Sequence, residues 1–138
     1  MTKTQRAYLA GLLDGEAYVA VIRKANKQYK RGISYGITVV TSMTSLAPLK
    51  YAQQISGVGS IVELKKRPNR KKMWSWSVYS REASKLLQEV VQYMLVKKKS
   101  ALACIEFQDA MRLRGRTGIT DSEFSEQKKL WKKTKVNP

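Results

Sequence analysis

No histidine occurs among the 138 residues. Its absence removes imidazole general bases, mixed Cys/His zinc sites and Cys2His2 fingers from the chemistry open to the chain. The single cysteine, Cys104, excludes an internal disulfide and any multi-cysteine metal site. It lies in an apolar helical pattern and reads as a small buried hydrophobe. Long hydrophobic runs are missing too. No stretch reaches the ~18 apolar residues of a membrane-spanning helix, and the N-terminus has no signal-peptide apolar core. The expectation is a soluble, intracellular protein with no membrane partner. Acid is also scarce, with 10 Asp plus Glu against 27 Lys plus Arg, for a formal charge of +17.

Such an excess on a chain sized for one domain, 1–138, points to a polyanionic partner, and nucleic acid leads. Charge alone does not separate a binder from an enzyme. Residues 8–16, Tyr-Leu-Ala-Gly-Leu-Leu-Asp-Gly-Glu, narrow the choice. They form a short apolar helix with small residues on one stripe, ending in the carboxylates of Asp14 and Glu16. Acids at a helix end, in a chain that otherwise seeks anions, suggest a bound cation.

Periodicity predicts an α+β order. Residues 4–13 are helical, with Thr2 or Thr4 as cap and a break at Asp14-Gly15. Strands are predicted at 17–23 and 33–41, joined by a polar, basic turn. A helix at 46–55 tolerates Pro48 in its first turn and stops at Gly57-Val58-Gly59. Residues 60–66 and 72–79 alternate and make a second hairpin around Pro68-Asn69. Amphipathic helices follow at 81–94 and 98–113, then a basic loop at 112–118. Thr120 and Glu123 form a capping box for a last helix.

This order and the 9–16 motif resemble the LAGLIDADG homing endonucleases. Gly57-Val58-Gly59-Ser60-Ile61 is similar to the family's break between second helix and third strand. The segment 93–99, Tyr-Met-Leu-Val-Lys-Lys-Lys, is similar to its lysine-containing segment after the third helix. The resemblance implies an αββαββα fold with additional C-terminal helices and a four-stranded antiparallel DNA-binding saddle. It also implies a site-specific double-strand DNA endonuclease that leaves short 3′ overhangs and promotes intron mobility. A non-catalytic DNA- or RNA-binding protein on the same fold, such as a splicing maturase, is the alternative. One motif copy implies a homodimer on a long pseudo-palindromic site. Ala7, Gly11 and Gly15 lie four apart on one helix face and allow close approach of two backbones, whereas packing against the chain's own core is the plainer use of such a stripe. Two positions depart from the family pattern, with Glu16 where Asp is common and Ala17 where Gly is usual.

The resemblance further implies Mg2+ as cofactor, with Mn2+ able to substitute and Ca2+ binding without supporting cleavage. Glu16 and the Gly15 carbonyl are the expected metal ligands. Lys97 is the expected basic group near the attacking water, Lys98 a phosphate contact, and Ser42 a candidate to orient water where the family often has Gln. Asp14 is expected to be structural, capping the partner's motif helix at the dimer interface. Two-stranded ribbons fit the major groove, which makes Arg23, Lys24, Lys27, Gln28, Lys30 and Arg31 DNA candidates on the first hairpin. Glu63, Lys65, Arg67, Arg70 and Lys71 are their counterparts on the second. Trp74, Trp76 and Val78 are expected in the core with Ser75 and Ser77 toward DNA, a base-stacking tryptophan platform being the sharper alternative. Periodicity leaves open which face of 33–41 meets DNA.

Overall fold

Thr2 sets where regular structure begins. In the computed structural model, which describes residues 1–111 and 119–136, its hydroxyl accepts the Gln5 backbone N–H while the Gln5 side chain accepts the Thr2 N–H. This reciprocal box satisfies two donors that a helix start leaves unpaired. Helix α1 (Lys3–Glu16) then buries Leu9, Ala10 and Leu13, a stripe at helical spacing. It outruns the expected end at residue 13 by continuing through Asp14 and Gly15, because a glycine costs a helix only about 1 kcal/mol. The chain passes without a loop into β1 (Ala17–Ala25), which pairs antiparallel with β2 (Ile33–Met43).

Helix α2 (Leu46–Ser56) ends on Gly57, which adopts φ 71 as a left-handed cap. Strand β3 (Ser60–Glu63) is shorter than its alternation predicts, and β4 (Trp74–Tyr79) starts two residues late. Asn69 (φ 62) turns the connecting loop, a left-handed position that asparagine tolerates. The sheet order is β1-β2-β4-β3, antiparallel throughout.

Helix α3 (Ser80–Val90) gives way to a 3-10 turn (Val91–Tyr93) rather than running to 94. Helix α4 (Lys98–Asp109) and helix α5 (Asp121–Val136) complete the order. Glu123 and Thr120 form the expected box, each backbone N–H donating to the other's side chain. The basic loop expected at 112–118 lies outside the described residues.

All helices lie over one face of the sheet. Val19, Val21, Ile37, Val39, Trp76 and Val78 meet Leu9, Leu13, Leu86, Leu87, Val90 and Phe107 there, all buried. Trp76 is fully enclosed and its indole N–H donates to the Val58 carbonyl at 3.1 Å. A large ring is thus buried without an orphaned donor, which removes Trp76 from any base-stacking platform; Trp74 shares its face. Among the described residues no helix is long and apolar enough to cross a membrane.

Candidate active site and nucleic-acid interface

The C-terminal turn of α1 concentrates the unusual chemistry. Two carboxylates there face the negative end of the helix dipole, and no basic residue of the helix offsets them. The offset comes from 80 residues downstream. The Lys97 ammonium donates to the Leu13 carbonyl at 3.2 Å and to the Ala17 carbonyl. An ammonium has three donors, so one stays free for water or phosphate.

Asp14 fixes the segment that carries this lysine. Its carboxylate accepts the Leu95 N–H at 2.7 Å and the Lys97 N–H at 3.0 Å. Desolvation raises its carboxyl pKa, but the Leu95, Lys97 and Val96 N–H groups and the Lys97 charge outweigh that and hold it below the ordinary value. Asp14 is therefore a structural clamp within its own chain. Each of its oxygens accepts one N–H inside its own chain, which leaves further acceptor sites on the carboxylate for the partner-helix cap expected of it.

Glu16, one residue from the sheet, is exposed, and its carboxylate has no ion-pair partner among the described residues. No group of three or more acidic or cysteine side chains able to hold a metal occurs among those residues. The α1 end thus offers the Glu16 carboxylate, with the Gly15 carbonyl beside it. These are hard oxygen donors suited to Mg2+, but too few in one chain to enclose it. Ala7, Gly11 and Gly15 are all exposed, and a Cβ added at Gly11 or Gly15 would meet nothing within 4 Å. The stripe is not used for packing against the chain's own core. Tyr8 on α1 and Tyr51 on α2 stack edge-on nearby at 5.3 Å, both exposed.

The register assigns the faces that periodicity left open. Tyr35, Ile37, Val39 and Thr41 face the helices, while Gly36, Thr38, Val40 and Ser42 share the open face with Tyr18, Ala20 and Ile22 across β1. Ser42 lies at the α1 end of the sheet, one residue past the Ala17–Thr41 pair, and its hydroxyl donates to Ser75 at 3.2 Å. Ser75 and Ser77 are on the open face, opposite Ser42 and Val40.

Three DNA candidates sit elsewhere than expected. Glu63 pairs with Trp74 on the helix-side face and bridges Lys72 at 3.1 Å, while Val62 takes the open position opposite Ser75. The alternation of β3 was right in period but assigned to the wrong faces. Arg23 pairs with Tyr35 and holds its guanidinium 5.6 Å over the Trp131 ring of α5. Arg31 is tied to Asp121 at 2.5 Å and lies over Phe124. Lys24 is on the open face, and Lys27, Gln28 and Lys30 are exposed on the hairpin loop. Lys65, Arg67, Arg70 and Lys71 are exposed around the second loop, and Lys98 is exposed at the start of α4. Tyr18 and Tyr79, exposed on the open face, escaped the sequence reading; the alternation of β1 could have found Tyr18.

The profile of the LAGLIDADG endonucleases matches residues 9–110. No curated protein matches the chain by sequence. Solved structures do match in fold. The homing endonuclease I-CvuI, in complex with I-CreI target DNA left uncleaved at 2 mM Mg, superposes with TM-score 0.81 at 18% identity, covering 97% of this chain and 82% of that one. The archaeal intron-encoded homing endonuclease I-Vdi141I, complexed with DNA, gives 0.78 at 17% identity over 98% and 84% of the two chains. The homing endonuclease I-TnaI gives 0.66 at 14% identity over 96% and 89%.

Proposed function

The chain belongs to the LAGLIDADG endonuclease family, and on that premise we propose that it is a homodimeric, Mg2+-dependent, site-specific DNA endonuclease. The observation that carries the reading is the exposed Glu16 carboxylate, without an ion-pair partner among the described residues, at the same α1 end where Lys97 is pinned to the Leu13 and Ala17 carbonyls. A chain that only bound DNA would gain nothing from an unpaired carboxylate among +17 of charge.

Two α1 helices packed along Ala7, Gly11 and Gly15 would bring two Glu16 side chains together. Each would hold metal with its carboxylate and the adjoining Gly15 carbonyl. When bound, a divalent metal supplies a Lewis acid for the phosphate and lowers the pKa of bound water. The remaining donor of Lys97 would meet the charge that grows on phosphate, and Ser42 would hold water at the same end of the sheet. Major-groove contact falls to the open sheet face, flanked by Lys27, Gln28 and Lys30 on one side and Lys65, Arg67, Arg70 and Lys71 on the other. Lys98 adds a phosphate contact.

The test is incubation of the protein and Mg2+ with a pool of random duplexes, followed by sequencing of the ends produced. Paired breaks with short 3′ overhangs inside long pseudo-palindromic sites are expected. Binding without any break, under any divalent metal, overturns the enzyme reading in favour of a DNA-binding role on the same fold.

A further inference from the structure

The open face of the sheet carries almost no charge, in a protein that is otherwise basic. Its rows follow from the pairing: Ser42, Ser75 and Val62 nearest α1, then Tyr18, Val40, Ser77 and Ser60, then Ala20, Thr38 and Tyr79, then Ile22 and Gly36, then Lys24 and Ser34. Lys24, in the outermost row, is the one ionisable cation among them, and its ammonium lies 6.0 Å from the Tyr79 ring centroid. Positive charge begins where the rows end, on the loops bearing Lys27 and Lys30 and bearing Lys65 and Arg67.

Base-edge chemistry gives this distribution a consequence. Guanine is read by Arg or Lys, adenine by the paired groups of Asn or Gln, and cytosine by acceptors from Glu or Asp. None of these side chains occurs in the rows from Tyr18 to Ile22. What those rows present instead is methyl and ring surface, from Ala20, Ile22, Val40 and Tyr18. The one major-groove feature that apolar surface recognises is the thymine C5-methyl. The hydroxyls add little selectivity; that of Ser42 already donates to Ser75.

We propose that the centre of the open sheet face reads thymine methyl groups, so that the half-site segment beneath the Tyr18, Ala20 and Ile22 rows is selected for A·T pairs, with guanine preferred only beyond either end of those rows, under the basic loops. The inference rests on the DNA-endonuclease reading above. Successive rows are about 7 Å apart along a strand, or roughly two base pairs at about 3.4 Å each. Three rows therefore span about 14 Å, or roughly four base pairs of each half-site.

Sites selected from a random duplex pool with the intact protein give the base preferences. In the selected duplex, thymines under the rows are replaced by uracil, which removes the methyl alone and leaves every hydrogen-bonding group in place. Each replacement is expected to weaken binding roughly fourfold, the effect of about one buried methyl-sized group. Replacements under the basic loops should leave affinity unchanged. Val40→Ser should shrink the thymine-to-uracil ratio at the pair it covers while retaining overall binding. Because the uracil arm leaves the protein untouched, it remains decisive should that variant fold poorly. Site-specific cutting with no uracil penalty, or with guanine selected under the rows, overturns this inference and leaves the endonuclease reading standing. Failure to select any sequence overturns both.

Discussion

Replacing Asp14 with asparagine removes the charge from a carboxylate that joins the two halves of the candidate site. Asp14 accepts two backbone N–H groups, those of Leu95 and Lys97, across more than 80 residues of sequence. A net hydrogen bond to a charged group contributes about 1.5–3 kcal/mol. The Leu95 bond is exposed, which lowers its share, and the asparagine oxygen can retain one of the two bonds. The expected loss for Asp14→Asn is therefore about 2 kcal/mol, or a fall in Tm of roughly 6–10 °C for a chain of this size. The pH dependence has a definite sign. The folded pKa is held below that of the unfolded chain, near 3.9, so the contribution is complete above about pH 4. It is lost as pH falls through the lower folded value. Urea unfolding followed by circular dichroism between pH 2.5 and pH 7, on both proteins, should show the gap at neutral pH and its closing in acid, about one pH unit either side of the carboxylate range. An unchanged urea midpoint at pH 7, or a gap that persists undiminished in acid, would refute the clamp.

Gly59→Ala should be among the most damaging single methyl additions. At φ +87 a Cβ would lie 2.8 Å from Val78 Cγ2 and 2.9 Å from the Ser77 carbonyl, and closer still to the Trp76 indole nitrogen. Left-handed strain and overpacking together cost roughly 3 kcal/mol or more, read as a lowered urea midpoint; a stable variant would contradict the close approach. Cys104 is buried and its thiol pushed up to about 12 by desolvation, so a thiol-specific reagent at pH 8 should label it only after unfolding. Rapid labelling of the folded protein would place it outside the core. Gly11→Leu meets open space in its own chain and improves helix propensity by about 1 kcal/mol. The folded chain should therefore survive while sedimentation shows monomer and cleavage disappears; an intact, active dimer would move the seam elsewhere.

Much of the fold was legible because its signals are local. The capping pairs at Thr2 and Thr120, the left-handed turn at Gly57, and the alternation that buries Trp76 and Val78 each depend on residues within a few positions. Position beyond that range was not legible. The end of α1 depends on Lys97, which replaces the breaker signal of Asp14-Gly15 by supplying positive charge to the final turn. Face assignment in β3 depends on which residue meets Trp74, and a two-residue period is equally satisfied by either face. Arg23 and Arg31 read as DNA contacts in a basic hairpin, yet both meet the aromatic side chains of α5, a helix more than 85 residues away. The motif and its lysine segment were legible as a family resemblance. That Asp14 is the link between them required three dimensions.

On the proposed reading, the Glu16 carboxylate at the end of α1 performs the chemistry while the rest of the chain binds and reads DNA. Single-turnover cleavage of a selected duplex in Mg2+, by the wild-type protein and by Glu16→Gln, tests it most directly, with duplex affinity measured alongside. Glu16→Gln should bind the same site with affinity equal to or tighter than wild type and cut neither strand. Cutting by Glu16→Gln at the wild-type rate would contradict it.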